Sequence, residues 1–227
     1  MRRRTLREAR HGWLRSARTV AGAVALAAAS VLLSSVQAAR PAAVEAALPA
    51  AVQAAAIEVV QRGWNARGAF VVIDKRAAHL WLFGPEGSLR SVHDTPVLLG
   101  SAIGDDSAPG VGELPLWRIP PAWRTTPAGV FRAEHGRNLD GERVVWVDYD
   151  AAVSLHRVRA VNPAQRRLER LASPTPDDNR ISYGCINVPA AFHDTVLAPA
   201  LAAQRRPLIV VLPETRPATT LFETPPR

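Results

Sequence analysis

Apolar positions along the chain change period several times. Residues 19–39 carry no charge and are most apolar over 24–33, directly after an arginine-rich start. Residues 40–61 are alanine-rich with breaks at Pro41 and Pro49, and 50–61 predict a short helix with Val52, Ile57 and Val60 inward. Residues 70–73 and 80–83 are short apolar, β-rich runs on either side of Lys75, Arg76 and Ala77, which predicts a hairpin. Gly84 to Gly87 reads as a turn, followed by a strand ending at Val97, Leu98 and Leu99. Residues 100–128 contain several Gly and Pro and no clear period, so they form a long loop, a length that usually carries function or is disordered. Strands resume at 130–133, 144–147 and 152–155. The stretch 158–179 is irregular, Pro189 opens a helix through Leu201, 208–212 is a last strand, and 215–227 is a Pro-containing tail. There is no internal repeat. The elements predict a mostly β domain with short helices, and no Gly-rich loop sits between a strand and a helix to suggest nucleotide binding.

Composition sharpens this picture at the N-terminus. The formal net charge of the 227 residues is +8. Seven arginines and one acid place +6 of it in residues 1–38, which leaves +2 for the other 189. The basic balance therefore belongs to the leader, and a nucleic-acid partner, which needs a basic face on the folded part, is not expected. The leader runs from arginines through an apolar stretch to Ser34, Ser35, Val36, Gln37 and Ala38, the order of a secretory signal with Val36 and Ala38 at the −3 and −1 positions. Residues 1–38 are expected to be a signal peptide and the body exported, to the periplasm or cell envelope. The inner membrane becomes a partner only if the leader stays uncleaved as an anchor, which its length permits.

Export gives meaning to Cys185, the one cysteine. It rules out an intrachain disulfide and a multi-cysteine metal cluster. An unpaired thiol outside the cytosol is a liability unless it pairs between chains or reacts usefully. On topology alone, a buried small apolar side chain and a reactive nucleophile are equally good readings. Cys185 follows Ser182, Tyr183 and Gly184 and precedes Ile186, Asn187 and the Pro189 helix. Gly184 lets the backbone turn tightly, so that the amides of Gly184 and Cys185 can point at one oxyanion. A cysteine nucleophile wants a histidine base. Of His79, His93, His135, His156 and His193, His156 leads because it ends the apolar strand 152–155 and can be rigidly aimed.

Ser182-Tyr183-Gly184-Cys185-Ile186-Asn187, with His156 upstream, resembles the catalytic domain of the L,D-transpeptidases, bacterial cell-wall enzymes. That family's signature is a histidine, a spacer, then Ser/Thr-His-Gly-Cys, an apolar residue and Asn or Arg. The 70–83 hairpin and Thr126-Pro127-Ala128-Gly129-Val130-Phe131 resemble two further elements of it, and the resemblance covers about residues 69–212. Two features depart from the pattern. Tyr183 stands where the family has histidine, and 25 residues separate His156 from Ser182, more than is usual; the excess reads as a loop inserted around 162–178.

The resemblance implies an L,D-transpeptidase-like mixed β-sandwich and a division into signal peptide (1–38), helical N-terminal extension (39–68), catalytic domain (69–213) and flexible tail (214–227). It implies acyl transfer from peptidoglycan stem tetrapeptides through a Cys185 acyl-enzyme, with His156 as base and then acid. Gly184, Tyr183 and Ser182 would shape the oxyanion site and loop, and Arg180 and Asn187 would bind substrate. The acyl group would pass to an amine or to water, as crosslinking, trimming or protein attachment. No metal or organic cofactor is expected. Tyr183 and the long spacer also fit a non-catalytic cell-wall-binding module of the same fold, and a redox or intermolecular-disulfide role for Cys185 is a third reading. Asp105 and Asp106 lack calcium-ligand spacing and read as a solvated turn. Trp117 and Trp123 either stack on glycan or pack beneath their loop, and Arg166, Arg167 and Arg170 read as a solvated face.

Overall fold

The computed structural model describes residues 48–85 and 92–227. The signal peptide expected over 1–38 and part of the turn at 84–87 lie outside them. The hairpin forms where the apolar runs predicted it, whereas the strand expected to end at Leu99 is split into His93–Pro96 and Leu99–Gly100. Strands β1 (Phe70–Asp74) and β2 (His79–Phe83) make an antiparallel hairpin, β3 (His93–Pro96) extends it on the far side of β2, and β4 (Leu99–Gly100) follows at once.

Strands β5 (Gly129–Arg132), β6 (Glu134–Arg137), β7 (Arg143–Asp148) and β8 (Val153–Arg157) come next, then β9 (Arg180–Ser182), β10 (Ile186–Val188) and β11 (Leu208–Leu212). They assemble into a five-stranded sheet, β3-β2-β1-β11-β5, a four-stranded sheet, β10-β8-β7-β6, and a small parallel pair of β4 with β9. Both large sheets are mixed, because β1 pairs parallel with β11 and β10 pairs parallel with β8. The fold is mostly β with short helices.

Side-chain alternation along the strands divides the core in two. Val71, Ile73, Leu80, Leu82, Ile209 and Val211 of the five-stranded sheet meet Val145, Val147, Val153, Leu155, Ile186 and Val188 of the four-stranded one in one buried cluster. The other face of the five-stranded sheet carries Phe70, Val72, Trp81, Phe83, Val130, Leu208 and Val210, and it is covered by helix α1 (Ala50–Gln61) and by Leu221 and Phe222. Phe70 stacks on Phe83 with ring centroids 4.9 Å apart, a pairing that adds about 0.5–1.5 kcal/mol beyond area burial. A sheet covered on both faces explains why its strands read as unbroken apolar runs.

Three expectations change. Helix α1 turns Val52, Ala55, Ala56 and Val59 to the sheet, while Ile57 and Val60 are exposed; alanines let the helix lie close, so the small residues mark its inner face. Residues 48–68 are therefore part of the domain's core and not an extension beside it. The flexible tail is replaced by packed chain: a 3-10 turn, Ala218–Phe222, buries Leu221 and Phe222, and Arg227 exchanges backbone hydrogen bonds with Val130 and Arg132. The apolar spacing of Leu221 and Phe222, hidden among prolines, supplies the contact.

The two irregular stretches are built from short turns. Residues 101–128 contain 3-10 turns at Val111–Glu113, Leu116–Arg118 and Pro121–Trp123. Residues 158–179 contain helix α2 (Arg167–Ala172), which seats Leu171 against Leu98, Val158 and Ile181. The predicted helix after Pro189 is α3 (Ala190–Phe192), a π-turn at His193–Leu197 and α4 (Ala198–Ala202), with Leu197 and Leu201 in the core. No helix among the described residues is long and apolar enough to cross a membrane.

Candidate active site

Parallel pairing of β8 with β10 sets the site. The register puts Ile186 beside Leu155 and Asn187 beside His156. Leu155 and Ile186 face the core, so Ser154, His156, Cys185 and Asn187 share the opposite face. Cys185 lies across from Ser154, and strand spacing and rise place it roughly 8 Å from His156 between Cα atoms. That is within reach of two side chains turned toward one another.

The loop entering β10 is tightly braced. Gly184 has φ +130°, and a Cβ there would stand 2.7 Å from the Thr125 carbonyl oxygen. Only glycine fits that close approach. Ser182 is buried; its Oγ donates to the Cys185 carbonyl at 2.6 Å and accepts the Gly184 N–H at 3.1 Å. Thr126 Oγ1 donates to the Gly184 carbonyl at 2.9 Å while accepting the Gly100 N–H at 2.9 Å. The Gly184 amide, expected at an oxyanion, is thus engaged by Ser182. The Cys185 N–H has no hydrogen-bond partner among the described residues. Tyr183 lies under the Arg124 guanidinium, 4.3 Å from its ring centroid, which ties the 101–128 loop to the cysteine loop.

The thiol is half-exposed. Its Sγ donates to the Ala152 carbonyl at 3.6 Å and lies 3.6 Å from Ser154 Oγ. His156 is hydrogen bonded elsewhere: Nδ1 to the Arg157 carbonyl at 2.8 Å and Nε2 to the Asn187 side-chain amide at 3.0 Å. These contacts decide the tautomer. Arg167 Nη1 can only donate, so Asn187 turns Oδ1 to it and Nδ2 to His156. Nε2 then accepts, and Nδ1 carries the proton given to Arg157. Burial, the largest influence, pushes the His156 pKa below its ordinary value against the raising effects of the Arg157 carbonyl and Glu142. A neutral imidazole with a lone pair on Nε2 is the form a base needs.

Asn187, expected at the substrate, is fully buried with both ends of its amide occupied; its place is that of a positioning residue. Arg180, the expected substrate arginine, is turned away from Cys185. Its guanidinium pairs with Glu214 and donates to the Lys75 carbonyl at 2.7 Å, and its charge is spent there. The acids of the 101–128 loop also change reading. Asp105 is buried against Lys75, whose Nζ stands 2.8 Å from its Oδ1, and only Asp106 is solvated. Among the described residues, no group of three or more His, Cys, Asp or Glu side chains is arranged to hold a metal ion.

No family model matches this chain, and no curated protein matches it. Among solved structures it is similar to the catalytic domain of the L,D-transpeptidase from E. faecium, determined by NMR. The two share 18% identity over 64% of this chain and 98% of that one, with a TM-score of 0.35.

Three residues of this site have no assigned role in the sequence reading. Ser154 lies two positions before His156 on the same strand face, where alternation alone would have placed it at the site. Thr126 stands in the Thr-Pro-x-Gly element but was given no task. Arg167, read as part of a solvated face, is half-buried and bonded to Asn187, which no local pattern announces.

Proposed function

We propose that this protein is a peptidoglycan acyltransferase of the L,D-transpeptidase type, exported to the cell envelope, that acts on stem tetrapeptides. The observation that carries this reading is the placement of Cys185 and a neutral, oriented His156 on one face of adjacent strands, beside a braced Ser-Tyr-Gly-Cys loop. The Cys185 thiol gives its proton to His156 Nε2 once the imidazole turns from Asn187 toward Sγ. The thiolate attacks the carbonyl of the third stem residue, and a tetrahedral oxyanion forms. The Cys185 N–H is its first donor, with the Tyr183 hydroxyl as a second. Collapse breaks the amide bond; His156 returns the proton to the departing D-alanine amine and a thioester remains on Cys185. An amine or water then attacks the thioester and regenerates the thiol.

The direct test is incubation of the mature protein with a disaccharide-tetrapeptide and mass spectrometry of the products. Loss of one D-alanine is expected, as a crosslinked dimer where an acceptor amine is used or as a tripeptide where water is. An unchanged tetrapeptide from folded protein would instead support a cell-wall-binding module.

The pH dependence follows from the imidazole. Burial lowers its pKa, so the neutral base persists to lower pH than an ordinary histidine allows. The acid limb of kcat/KM is expected to fall below pH 6.5, the unperturbed value. A limb above 6.5 would mean that His156 is not the base.

A further inference from the structure

We propose that Arg167 is a carboxylate-binding residue of this site, taking a free carboxylate of the acyl-donor peptide. The inference rests on the acyl-donor reading above and adds a recognition residue from the inserted segment.

Four observations lead to it. First, the 158–179 segment is folded: Leu171 is buried against Leu98 and Val158, which anchors α2 and with it Arg167 at its start. Second, the Arg167 guanidinium lies at the site. It donates through Nη1 to Asn187, whose amide contacts His156. Third, its partners among the described residues are neutral, Gln165 Oε1 at 2.6 Å and Asn187 Oδ1. Arg166 beside it is matched to Glu169, and Arg157, Arg159 and Arg180 are matched to acids as well, while Arg170 and Arg124 donate to backbone carbonyls. A half-buried cation without a counter-ion is costly, and an incoming anion relieves the cost. Fourth, the bonds from Nε and Nη1 fix the guanidinium plane, while Nη2 has no partner among the described residues. Nη2 is thus left with both its N–H groups to donate to a carboxylate.

The geometry also explains why the arginine is held by amides. Gln165 and Asn187 orient it without neutralising it, so the charge stays available. Because Asn187 contacts both Arg167 and His156, a carboxylate on Arg167 seats the donor peptide beside the base.

The test uses binding, so that it does not depend on turnover. Full-chain mature Cys185→Ala protein is titrated by calorimetry with the stem tetrapeptide, and with a series in which each free carboxylate in turn is a carboxamide. One amidation is expected to weaken binding about 10–100-fold, the range for a hydrogen-bonded charge. Adding Arg167→Met should weaken the parent peptide by a similar factor and leave that carboxamide peptide unchanged, bringing their affinity ratio to about one. Arg167→Lys should keep part of the ratio. Because the ratio is taken within one protein, a general loosening of α2 does not imitate the result. A ratio unchanged by Arg167→Met, or no measurable binding to the parent, overturns the inference. The acyl-transfer reading is judged separately on wild-type D-alanine release. Release with an Arg167-independent ratio removes only the carboxylate role, whereas an Arg167-dependent ratio without release removes only the chemistry.

Discussion

Lys75→Met is expected to destabilise the domain by about 3–5 kcal/mol, the usual cost of removing one partner from a buried ion pair. The Lys75 side chain is 0% exposed, and its Nζ reaches Asp105 Oδ1 at 2.8 Å, Glu214 Oε1 at 3.3 Å and the Thr126 carbonyl at 2.9 Å. Two cations, Lys75 and Arg180, meet two carboxylates, Asp105 and Glu214, in one buried cluster. Its members come from the β1–β2 turn, the 101–128 loop, β9 and the stretch after β11. Methionine matches the length of lysine, so little volume is lost, and the cost is that of carboxylates left with a single cation.

Acid stability reports the same cluster. Burial alone would raise the Asp105 carboxyl, but the bonds from Lys75, Thr215 and Glu214 outweigh it and hold the group well below the usual carboxylate range. A depressed carboxylate contributes stability that is complete above its unfolded value near 3.8 and is lost as pH falls through the lower folded value. Urea unfolding followed by tryptophan fluorescence at pH 7 and pH 3 should therefore show wild type losing stability on acidification, and Lys75→Met losing less from a lower start. A variant as stable as wild type at pH 7 would mean that the cluster contributes nothing net. Since Thr126 also bonds Gly184, the cluster underlies the cysteine loop as well.

Cys185→Ala should remove acyl transfer, by at least about 10³-fold in kcat, as loss of a covalent nucleophile does. Stability should change little, because the thiol's hydrogen-bond contacts among the described residues, to Ala152 and Ser154, are both long. Turnover of the tetrapeptide by matched amounts of folded wild type and variant checks this. Activity within tenfold of wild type would exclude a cysteine mechanism.

Elements with strong local signals were legible in the sequence. The β1–β2 hairpin and β11 stand where unbroken apolar runs placed them, since a sheet buried on both faces leaves no polar alternation to misread, whereas β8 alternates and runs over Val153–Arg157 where 152–155 was expected. Strand β6 was not legible: Glu134, His135, Gly136 and Arg137 form an edge strand whose pairing with β7 comes from backbone bonds and not from buried side chains. The role of Lys75 in the hairpin turn was not legible either, because the acids that pair with it lie at positions 105 and 214 and only the tertiary fold brings them together.

The site divides the same way. His156 and Cys185 stand on local features, a strand end and a Gly-Cys turn, and the pairing of β8 with β10 puts them on one face. Arg180 was named for its nearness to Cys185 in sequence, yet β9 carries it toward Glu214. Arg167, eighteen residues before Cys185, arrives through the fold of the inserted segment. The aromatic loop residues also resolve: Trp117 is 74% exposed and so does not pack beneath its loop.

The proposed acyl transfer requires a covalent intermediate on Cys185. The measurement that tests it most directly is intact-protein mass spectrometry after acid quenching of the mature protein mixed with tetrapeptide donor. The predicted result is a mass gain equal to the donor less D-alanine, mapped by peptide digestion to Cys185 and absent from Cys185→Ala, which also releases no D-alanine. D-alanine release that continues in Cys185→Ala, or a gain mapped to another residue, would contradict it.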